Sequence, residues 1–291
     1  MDALIQLTPA GPRLPEWLRK PRTHFDAVHQ LKSELRRLNL HTVCESARCP
    51  NMHECFHRGT ATFMILGNLC TRGCGFCSVP KSRHPGPLDR DEPANVARMA
   101  AAMQLRHVVV TSVNRDDLAD GGSEHFAATV DALRRALPEA RVEVLTPDFQ
   151  GDLTAVARVL DARPHIFNHN METVSRLYQR VRPQANYRQS LEVLKFAKRH
   201  GANALVKSGA MLGLGETEEE VQQLMRDLHA ANVDIVTLGQ YLQPTRRNLP
   251  VTEFVTPAQF DAYRDFGRSL GFRTVFSGPL VRSSYMADLI T

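Results

Sequence analysis

Short apolar, β-branched runs alternate with helical patterns of polar and apolar residues along most of this chain. The apolar runs predict buried strands over residues 62–66, 108–112, 142–146, 165–168, 204–211 and 235–239. Between them, apolar positions at helical spacing predict helices over residues 93–104, 124–137, 153–161, 172–181 and 188–200. Strand–helix alternation over this length is typical of parallel β/α architecture. The pattern therefore predicts an α/β fold, a partial TIM-like (β/α)6 barrel.

Local residue choices support several of these elements. Thr217 and Glu220 have the spacing of a capping box at the start of a helix. Ser123 is placed to cap another helix, and Gly201 is placed to end one. Because active sites of such barrels lie at the carboxyl ends of the strands, we expect the functional residues just after each strand.

The ends of the chain look different from its centre. Residues 1–60 contain Pro9, Pro12, Pro15 and Pro21 near their start, and they read as an irregular extension. Residues 61–271 carry the barrel pattern, and residues 272–291 form a C-terminal tail. No internal repeat, low-complexity stretch or long linker divides the chain further.

Composition bounds the class of protein. The 291 residues are 43% hydrophobic, enough for a sizeable core. The first 20 residues lack an apolar run of signal length, and no stretch reaches the roughly 18 apolar residues of a membrane span. These features predict a cytoplasmic protein with no membrane partner.

The net charge of +5 raises the question of nucleic acid binding. The basic residues are dispersed, and one Trp with 7% aromatic residues offers no evident platform for stacking bases. A basic surface also suits an acidic protein partner. Composition alone does not separate the two, and we expect no nucleic acid partner.

Three cysteines lie within eight residues, in the order Cys70, Cys74 and Cys77. Thiolates packed this closely can converge on one metal centre. A cubane iron–sulfur cluster normally takes four cysteines, so three of them leave one iron open for a small molecule. The alternatives are a structural zinc loop or a disulfide, but zinc sites usually pair such a motif with a second, distant ligand pair.

A second triplet, Cys44, Cys49 and Cys55, lies just upstream. No cysteine lies outside residues 44–77, whereas a disulfide framework is expected in small secreted domains with little core. The six cysteines are therefore interpreted as reduced metal ligands. For this upstream triplet, a zinc site completed by His53 or His57 stays open as an alternative.

The CxxxCxxC loop, with Phe76 before its last cysteine, resembles the signature of the radical S-adenosylmethionine (radical SAM) enzymes. Two triplets in this order resemble the lipoyl synthase family. The resemblance extends over most of residues 44–285, in the blocks 44–51, 67–72, 111–117, 167–173, 207–209 and 282–285. The ordered combination of blocks is far more specific than the cysteine loop alone.

The resemblance implies two [4Fe–4S] clusters and S-adenosylmethionine. Cys70, Cys74 and Cys77 would hold the catalytic cluster, whose open iron chelates the methionine group of the cofactor. The three upstream cysteines would hold an auxiliary cluster. A serine of the C-terminal Arg-Ser-Ser-Tyr block would be its fourth ligand, with Ser284 favoured over Ser283.

The implied reaction is that of a sulfurtransferase. Unactivated C–H bonds have no acidic proton, so a cofactor-derived radical must open them. Two sulfur atoms from the auxiliary cluster would enter C6 and C8 of an octanoyl chain on a carrier lysine. The implied partners are octanoylated lipoyl domains of 2-oxoacid dehydrogenase E2 subunits or the glycine-cleavage H protein, an electron donor such as flavodoxin or ferredoxin, and an iron–sulfur carrier protein.

Five residues are predicted to contact S-adenosylmethionine, namely Thr71, Phe76, Asn170, Glu172 and Lys207. Carboxylates bind ribose hydroxyls in other nucleotide sites, which suits Glu172. Its alternative interpretation is a carboxylate at a helix N-terminus. For the whole chain, two alternatives stay open: a radical SAM enzyme with another substrate and an electron-relaying auxiliary cluster, and a zinc protein that binds nucleic acid.

Overall fold

The computed structural model describes residues 14–19, 32–46, 49, 51–57, 61–201 and 203–284. Its sheet has sequential strand order. The strands are β1 (His41–Thr42), β2 (Thr62–Ile65), β3 (His107–Ser112), β4 (Arg141–Leu145), β5 (Ile166–Asn168), β6 (Leu205–Leu212), β7 (Ile235–Gln240) and β8 (Thr274–Gly278). Strands β2 to β8 are parallel, and β1 pairs antiparallel with β2.

Helices connect the parallel strands. The α-helices are α1 (Val43–Ser46), α2 (Met52–His57), α3 (Glu92–Ala102), α4 (Ser123–Ala136), α5 (Leu153–Asp161), α6 (Tyr178–Val181), α7 (Tyr187–His200), α8 (Glu218–Ala230) and α9 (Pro257–Leu270). Short 3-10 turns lie at Glu16–Leu18, Phe149–Gly151 and Ser175–Leu177. Six strand–helix units followed by β8 confirm the predicted α/β partial barrel.

Burial explains why the strands were visible in the sequence. Every residue of β2 and β7 is buried, which is the expected state of parallel strands covered by helices. The helices pack one apolar face on the sheet; in α5 that face is Ala155, Val156 and Val159. No helix within the described ranges is both long and apolar enough to cross a bilayer.

The predicted helix over residues 172–181 begins too early. Glu172 has a positive φ of 67° and continues along the edge of β6, where its N–H donates to the Gly209 carbonyl at 3.0 Å and its own carbonyl accepts from Met211 N–H at 2.9 Å. This pairing delays the helix until Tyr178. Because no helix starts at Glu172, the helix-terminus interpretation of its carboxylate is wrong.

The capping signals had different outcomes. Thr217 and Glu220 form the predicted capping box of α8, and Gly201 ends α7 as expected. The prediction for Ser123 is wrong, because the Asp120 carboxylate accepts the N–H groups at the start of α4 instead. The sequence also left β1, β8 and α9 unpredicted, and β8 lies within the predicted tail, residues 272–291.

Candidate active site

A cavity of about 430 Å³ opens at the carboxyl ends of the parallel strands. Both cysteine triplets reach it, and the cysteines that line it are Cys44, Cys49, Cys70, Cys74 and Cys77. The Arg282–Ser284 block lines it as well. Of the residues predicted to contact the cofactor, Phe76, Asn170 and Glu172 lie in its wall. Residues separated by more than 200 positions in the sequence thus face one space.

The first cysteine triplet lies in the catalytic loop, defined as residues 70–77, which follows β2. Arg72 of this loop is buried and donates to both carboxylate oxygens of Asp116, at 2.7 and 2.8 Å. It also pairs with Asp148 at 2.7 Å. The two carboxylates follow β3 and β4, so this guanidinium fastens the loop to the ends of two strands.

The other side of the catalytic loop is fastened by backbone contacts. The Gly75 N–H donates to the Val181 carbonyl at 2.9 Å, and the Asn248 carboxamide donates to the carbonyls of Gly75 and Cys77 at 3.2 and 3.0 Å. A Cβ on Gly75 would meet Leu249 side-chain atoms at 2.9 Å, so this close approach requires glycine. The loop is therefore fastened to the barrel on both sides.

The sulfur atoms of the catalytic loop are partly satisfied by the protein. Cys70 Sγ accepts from the backbone N–H groups of Asn114 at 3.3 Å and Arg72 at 3.5 Å. Burial raises the pKa of the Cys77 thiol to about 11 and also raises that of Cys74. Burial therefore favours the protonated thiol form of both side chains over the thiolate.

The second triplet lies in the auxiliary segment, defined as residues 44–55, of which 47, 48 and 50 are outside the described residues. The Cys49 N–H donates to the Cys44 carbonyl at 3.0 Å. Burial raises the pKa of Cys44 to about 12, and charge on Cys49 and Cys55 acts in the same direction. The three thiols are thus electrostatic neighbours. The side chains of His53 and His57 lie outside the described part of the structure.

The serine segment, defined as residues 279–284, passes between the two cysteine groups. Asn51 of the auxiliary segment donates to the Leu280 carbonyl at 2.8 Å. The Asn170 carboxamide of the barrel donates to Ser283 Oγ at 2.7 Å. Burial lowers the pKa of Arg282 and charge on Cys49 opposes the shift; both residues line the cavity. The remaining motif residue, at position 285, is outside the described residues.

A polar group of barrel residues lies below the catalytic loop. Burial raises the pKa of the Glu172 carboxyl, while the charge of Arg182 and a 3.0 Å hydrogen bond from Asn170 lower it. The carboxamide oxygens of Asn170 and Asn114 and the Ser112 hydroxyl are buried without a hydrogen-bond partner among the described residues. Buried polar atoms of this kind need a partner, so this end of the cavity suits a polar ligand.

Two predicted cofactor contacts lie elsewhere. The Thr71 hydroxyl donates to the Asn114 carbonyl at 3.0 Å and does not line the cavity. Lys207 is buried in the barrel interior, where its ammonium contacts Glu143 at 2.9 Å. Burial raises the pKa of Glu143, but Lys207 and His107 outweigh it and lower that pKa to about 2. This arrangement does not support direct contact of Thr71 or Lys207 with a cofactor.

Sequence reasoning missed several residues that shape the cavity, among them Arg72, Arg182 and Asp148. Arg182 is buried, donates to the Asn170 carbonyl at 2.8 Å and places its charge near Cys74. An arginine inside a CxxxCxxC loop was a visible signal, but its carboxylate partners are 44 and 76 residues away. His169 is hydrogen-bonded in place, since its ring nitrogens contact the Thr146 carbonyl and Ser190 Oγ, each at 3.0 Å.

The donor set fits iron–sulfur clusters, whose usual protein ligands are cysteine thiolates. Among the described residues, no three cysteine, histidine or carboxylate side chains converge closely enough to surround one ion. A cubane spreads its ligands over several irons, and each cysteine triplet offers three thiolates to one cubane. The unpartnered polar atoms and Glu172 fit the hydroxyl and amino groups of an adenosyl cofactor.

Comparison with known proteins first defines the class. A family model described as the radical SAM superfamily matches residues 64–228. Methylornithine synthase has the same fold, with a TM-score of 0.56 at 14% identity over 92% of this chain and 85% of that one. Streptococcus suis SuiB bound to S-adenosylmethionine gives 0.57 at 13% identity, over 87% of this chain and 61% of that one. The fold and the cysteine loop are those of a radical SAM enzyme.

Full-length relatives then define the family. A model of the N-terminal domain of lipoyl synthase matches residues 6–49. Lipoyl synthase of Rubrobacter xylanophilus is 56% identical over 94% of this chain and 85% of its own length. That of Flavobacterium johnsoniae is 53% identical over 99% of both chains. The chain belongs to the lipoyl synthase family, an enzyme family that uses S-adenosylmethionine and two [4Fe–4S] clusters.

Proposed function

We propose that this chain inserts sulfur at C6 and C8 of a protein-bound octanoyl-lysine, using the cysteines and serine that meet in the cavity. The observation that carries this proposal is the convergence of both cysteine triplets and the serine segment on one space of about 430 Å³. A substrate radical formed beside the catalytic cluster needs a sulfur atom of the auxiliary cluster within bonding distance. A shared cavity satisfies that need without transport of a reactive intermediate.

Cys70, Cys74 and Cys77 hold the catalytic cluster in this proposal. When bound, the reduced cluster would supply one electron, and the cofactor would supply the sulfonium whose cleavage yields a carbon radical able to abstract hydrogen. Glu172 and Asn170 bind the hydroxyl groups of the ribose. Arg182, buried beside Cys74, offsets the negative charge that three thiolates bring into the site. Phe76 covers the loop on its cavity side.

Cys44, Cys49, Cys55 and Ser284 hold the auxiliary cluster. We favour Ser284 over Ser283, because the Ser283 hydroxyl is already taken up by Asn170 at 2.7 Å. A serine oxygen is a hard ligand on thiophilic iron, and it is easier to release than a fourth thiolate when sulfur leaves the cluster.

The acyl chain lies along the apolar part of the wall. That part includes Val43, Met64, Val79, Val113, Leu145 and Met211. An eight-carbon chain offers no polar group to bind, so apolar contact and exclusion of water are what such a wall can supply. Thr71 and Lys207 do not line the cavity, so we do not include them among the proposed contacts.

The carrier domain docks at the cavity opening. Lys81 lines the cavity, and Arg83, Arg246 and Arg247 are exposed on the two stretches of chain that flank the catalytic loop. Basic residues at this position suit an acidic carrier, either a lipoyl domain or the glycine-cleavage H protein. We further propose a cytoplasmic setting, with a flavodoxin or ferredoxin as electron donor and an iron–sulfur carrier protein that rebuilds the auxiliary cluster.

An anaerobic assay tests the function. The reconstituted protein is incubated with S-adenosylmethionine, a reductant and an octanoyl-lysyl peptide. We expect the peptide to gain two sulfur atoms, with two molecules of 5′-deoxyadenosine per product. Formation of 5′-deoxyadenosine with a desaturated or otherwise altered peptide but no sulfur would favour an electron-relaying auxiliary cluster and contradict the proposal.

A further inference from the structure

The serine segment is held at three points that belong to different parts of the molecule. At Leu280 it accepts from Asn51 of the auxiliary segment at 2.8 Å. At Val281 its carbonyl lies so close to Gly239, at the end of β7, that any Cβ there would collide with it. At Ser283 it accepts from Asn170 of the barrel at 2.7 Å. The segment therefore bridges the auxiliary segment and the barrel.

The Asn170 carboxamide connects the serine segment to the predicted cofactor contacts. One carboxamide has two N–H donors, and both are used here: one donates to Glu172 at 3.0 Å and the other to Ser283. The carboxamide oxygen is buried and has no partner among the described residues. Any ligand that engages Glu172 or this oxygen therefore acts directly on the group that holds Ser283.

The two serines of the segment differ in this respect. Both Ser283 and Ser284 line the cavity, but only Ser283 has a side-chain hydrogen bond recorded within the described residues. A hydroxyl that accepts a short hydrogen bond from a buried carboxamide is fixed in place. Because Ser283 is fixed, the adjacent Ser284 has a defined orientation, and its hydroxyl oxygen stays available as a ligand.

We propose that Ser283 is a positioning residue, which locks the serine segment to Asn170 so that Ser284 faces the upstream cysteines. The lock couples the cofactor end of the cavity to the ligand of the auxiliary cluster. It rests on the proposed function only in naming Ser284 as that ligand. The hydrogen bond itself belongs to the chain alone and is measurable without any cluster.

Hydrogen–deuterium exchange of the cluster-free protein tests the lock. In Ser283→Ala, we expect the amide of Val281, whose N–H donates to the Gly278 carbonyl at 3.1 Å, to exchange about fivefold faster, which is the factor for loss of one hydrogen bond of typical net strength. Ser283→Thr retains the hydroxyl and should restore the protection. Ser277→Ala is the matched control, since it removes a 2.7 Å hydroxyl bond to Phe260 outside the segment. Unchanged exchange in Ser283→Ala would overturn the proposal.

Spectroscopy separates positioning from ligation. In a background with Cys70, Cys74 and Cys77 all replaced by Ala, about four irons per chain report on the auxiliary cluster alone. Ser284→Ala should change the paramagnetic resonance spectrum of the reduced cluster. Ser283→Ala should keep the parent spectrum and release iron to a chelator several-fold faster, with rescue in Ser283→Thr. A changed spectrum in Ser283→Ala and an unchanged one in Ser284→Ala would overturn the proposal.

The two experiments also separate this inference from the proposed function. Loss of the exchange effect defeats the lock whatever the enzyme does. If the peptide assay yields no sulfur while the exchange effect stands, the chemistry is wrong and the positioning role of Ser283 remains.

Discussion

The catalytic loop and the auxiliary segment carry the same number of cysteines, but the protein holds them differently. The catalytic loop is tied to two strand ends through Arg72, and to the rest of the barrel through Gly75 and Asn248. The auxiliary segment has two short helices, a 2.6 Å bond from Ser78 to the Ser46 carbonyl, and the contact of Asn51 with the serine segment. One site is built into the barrel and the other is assembled at its edge.

This difference matches the role that each cluster has in the proposed function. A cluster that cleaves a cofactor repeatedly benefits from ligands held in fixed positions, because preorganised groups need no rearrangement during reaction. A cluster that gives up sulfur must be dismantled and rebuilt, so its ligands must be able to separate. Metal binding can be coupled to the folding of the region that carries its ligands, and a cluster that is rebuilt would use this coupling.

The largest effect is expected from replacing each cysteine triplet. Cys70→Ala, Cys74→Ala and Cys77→Ala together should abolish 5′-deoxyadenosine formation, because no cluster remains to reduce the cofactor. The corresponding change at Cys44, Cys49 and Cys55 should leave cofactor cleavage and stop sulfur insertion. Quantifying 5′-deoxyadenosine and product peptide in the same reactions checks both. Cofactor cleavage by both variants would contradict the assignment of the catalytic cluster to Cys70, Cys74 and Cys77.

Arg72 tests whether the catalytic loop depends on its ties to the barrel. Arg72→Ala leaves the Asp148 carboxylate, which is 0% exposed, without its cation. Removing one partner of a buried ion pair costs roughly 3–5 kcal/mol in free energy of unfolding. We expect that loss in denaturant titrations, together with a severe fall in cofactor cleavage, and only partial recovery in Arg72→Lys, which cannot reach two carboxylates at once.

Arg176 provides the control for Arg72. It makes a similar two-pronged contact with Glu220, but on the surface, where its side chain is 55% exposed. Arg176→Ala should therefore have a small effect on stability and none on cofactor cleavage. Equal losses in the Arg72 and Arg176 variants would show that burial of the guanidinium is unimportant for the loop.

The pair of Lys207 and Glu143 tests the barrel interior through pH. The pKa of Glu143 is lowered to about 2 in the folded chain, so the carboxylate stabilises the fold above its ordinary pKa of 4.5 and this stabilisation is lost as pH falls towards 2. In Lys207→Met the buried carboxylate has no ammonium, and we expect a loss of roughly 3–5 kcal/mol at pH 7. The gap in free energy of unfolding between wild type and Lys207→Met should narrow as pH falls, because protonation neutralises Glu143.

Denaturant titration of the cluster-free protein at several pH values measures this gap. Lys198→Met is the control, because its pair with Asp234 is partly exposed and should be worth less than about 1 kcal/mol. A gap that widens as pH falls would contradict the assignment of Glu143 as an ionised partner of Lys207.

The smallest effect is expected at the cavity opening. Arg246→Glu with Arg247→Glu should raise KM for an intact carrier domain several-fold at low salt, with little change in kcat, because surface charges act mainly on encounter. The rise should shrink with added salt and be absent for a short peptide substrate. Arg135→Glu with Arg199→Glu, exposed on helices α4 and α7, changes the net charge equally and should leave KM unchanged.

The sequence predicted the parts of this molecule whose signals are local. Buried strands are continuous apolar runs, and the three cysteines of the catalytic loop lie within eight residues. The helix at 172–181 was misplaced because Glu172 pairs with β6, a partner distant in the chain. The pair of Lys207 with Glu143 was not visible for the same reason, since Glu143 lies 64 residues away. Arg72, Asn170 and Ser283 gain their roles only when distant strands meet.

The central claim is that the barrel-held cluster persists while the edge-held cluster is consumed. The direct measurement is a single turnover of protein reconstituted with isotopically labelled sulfide, followed by mass analysis of the peptide and spectroscopy of the remaining clusters. The account predicts two labelled sulfur atoms in the product, loss of the auxiliary signal and retention of the catalytic signal. A product without label, or loss of the catalytic signal in step with product formation, would contradict it.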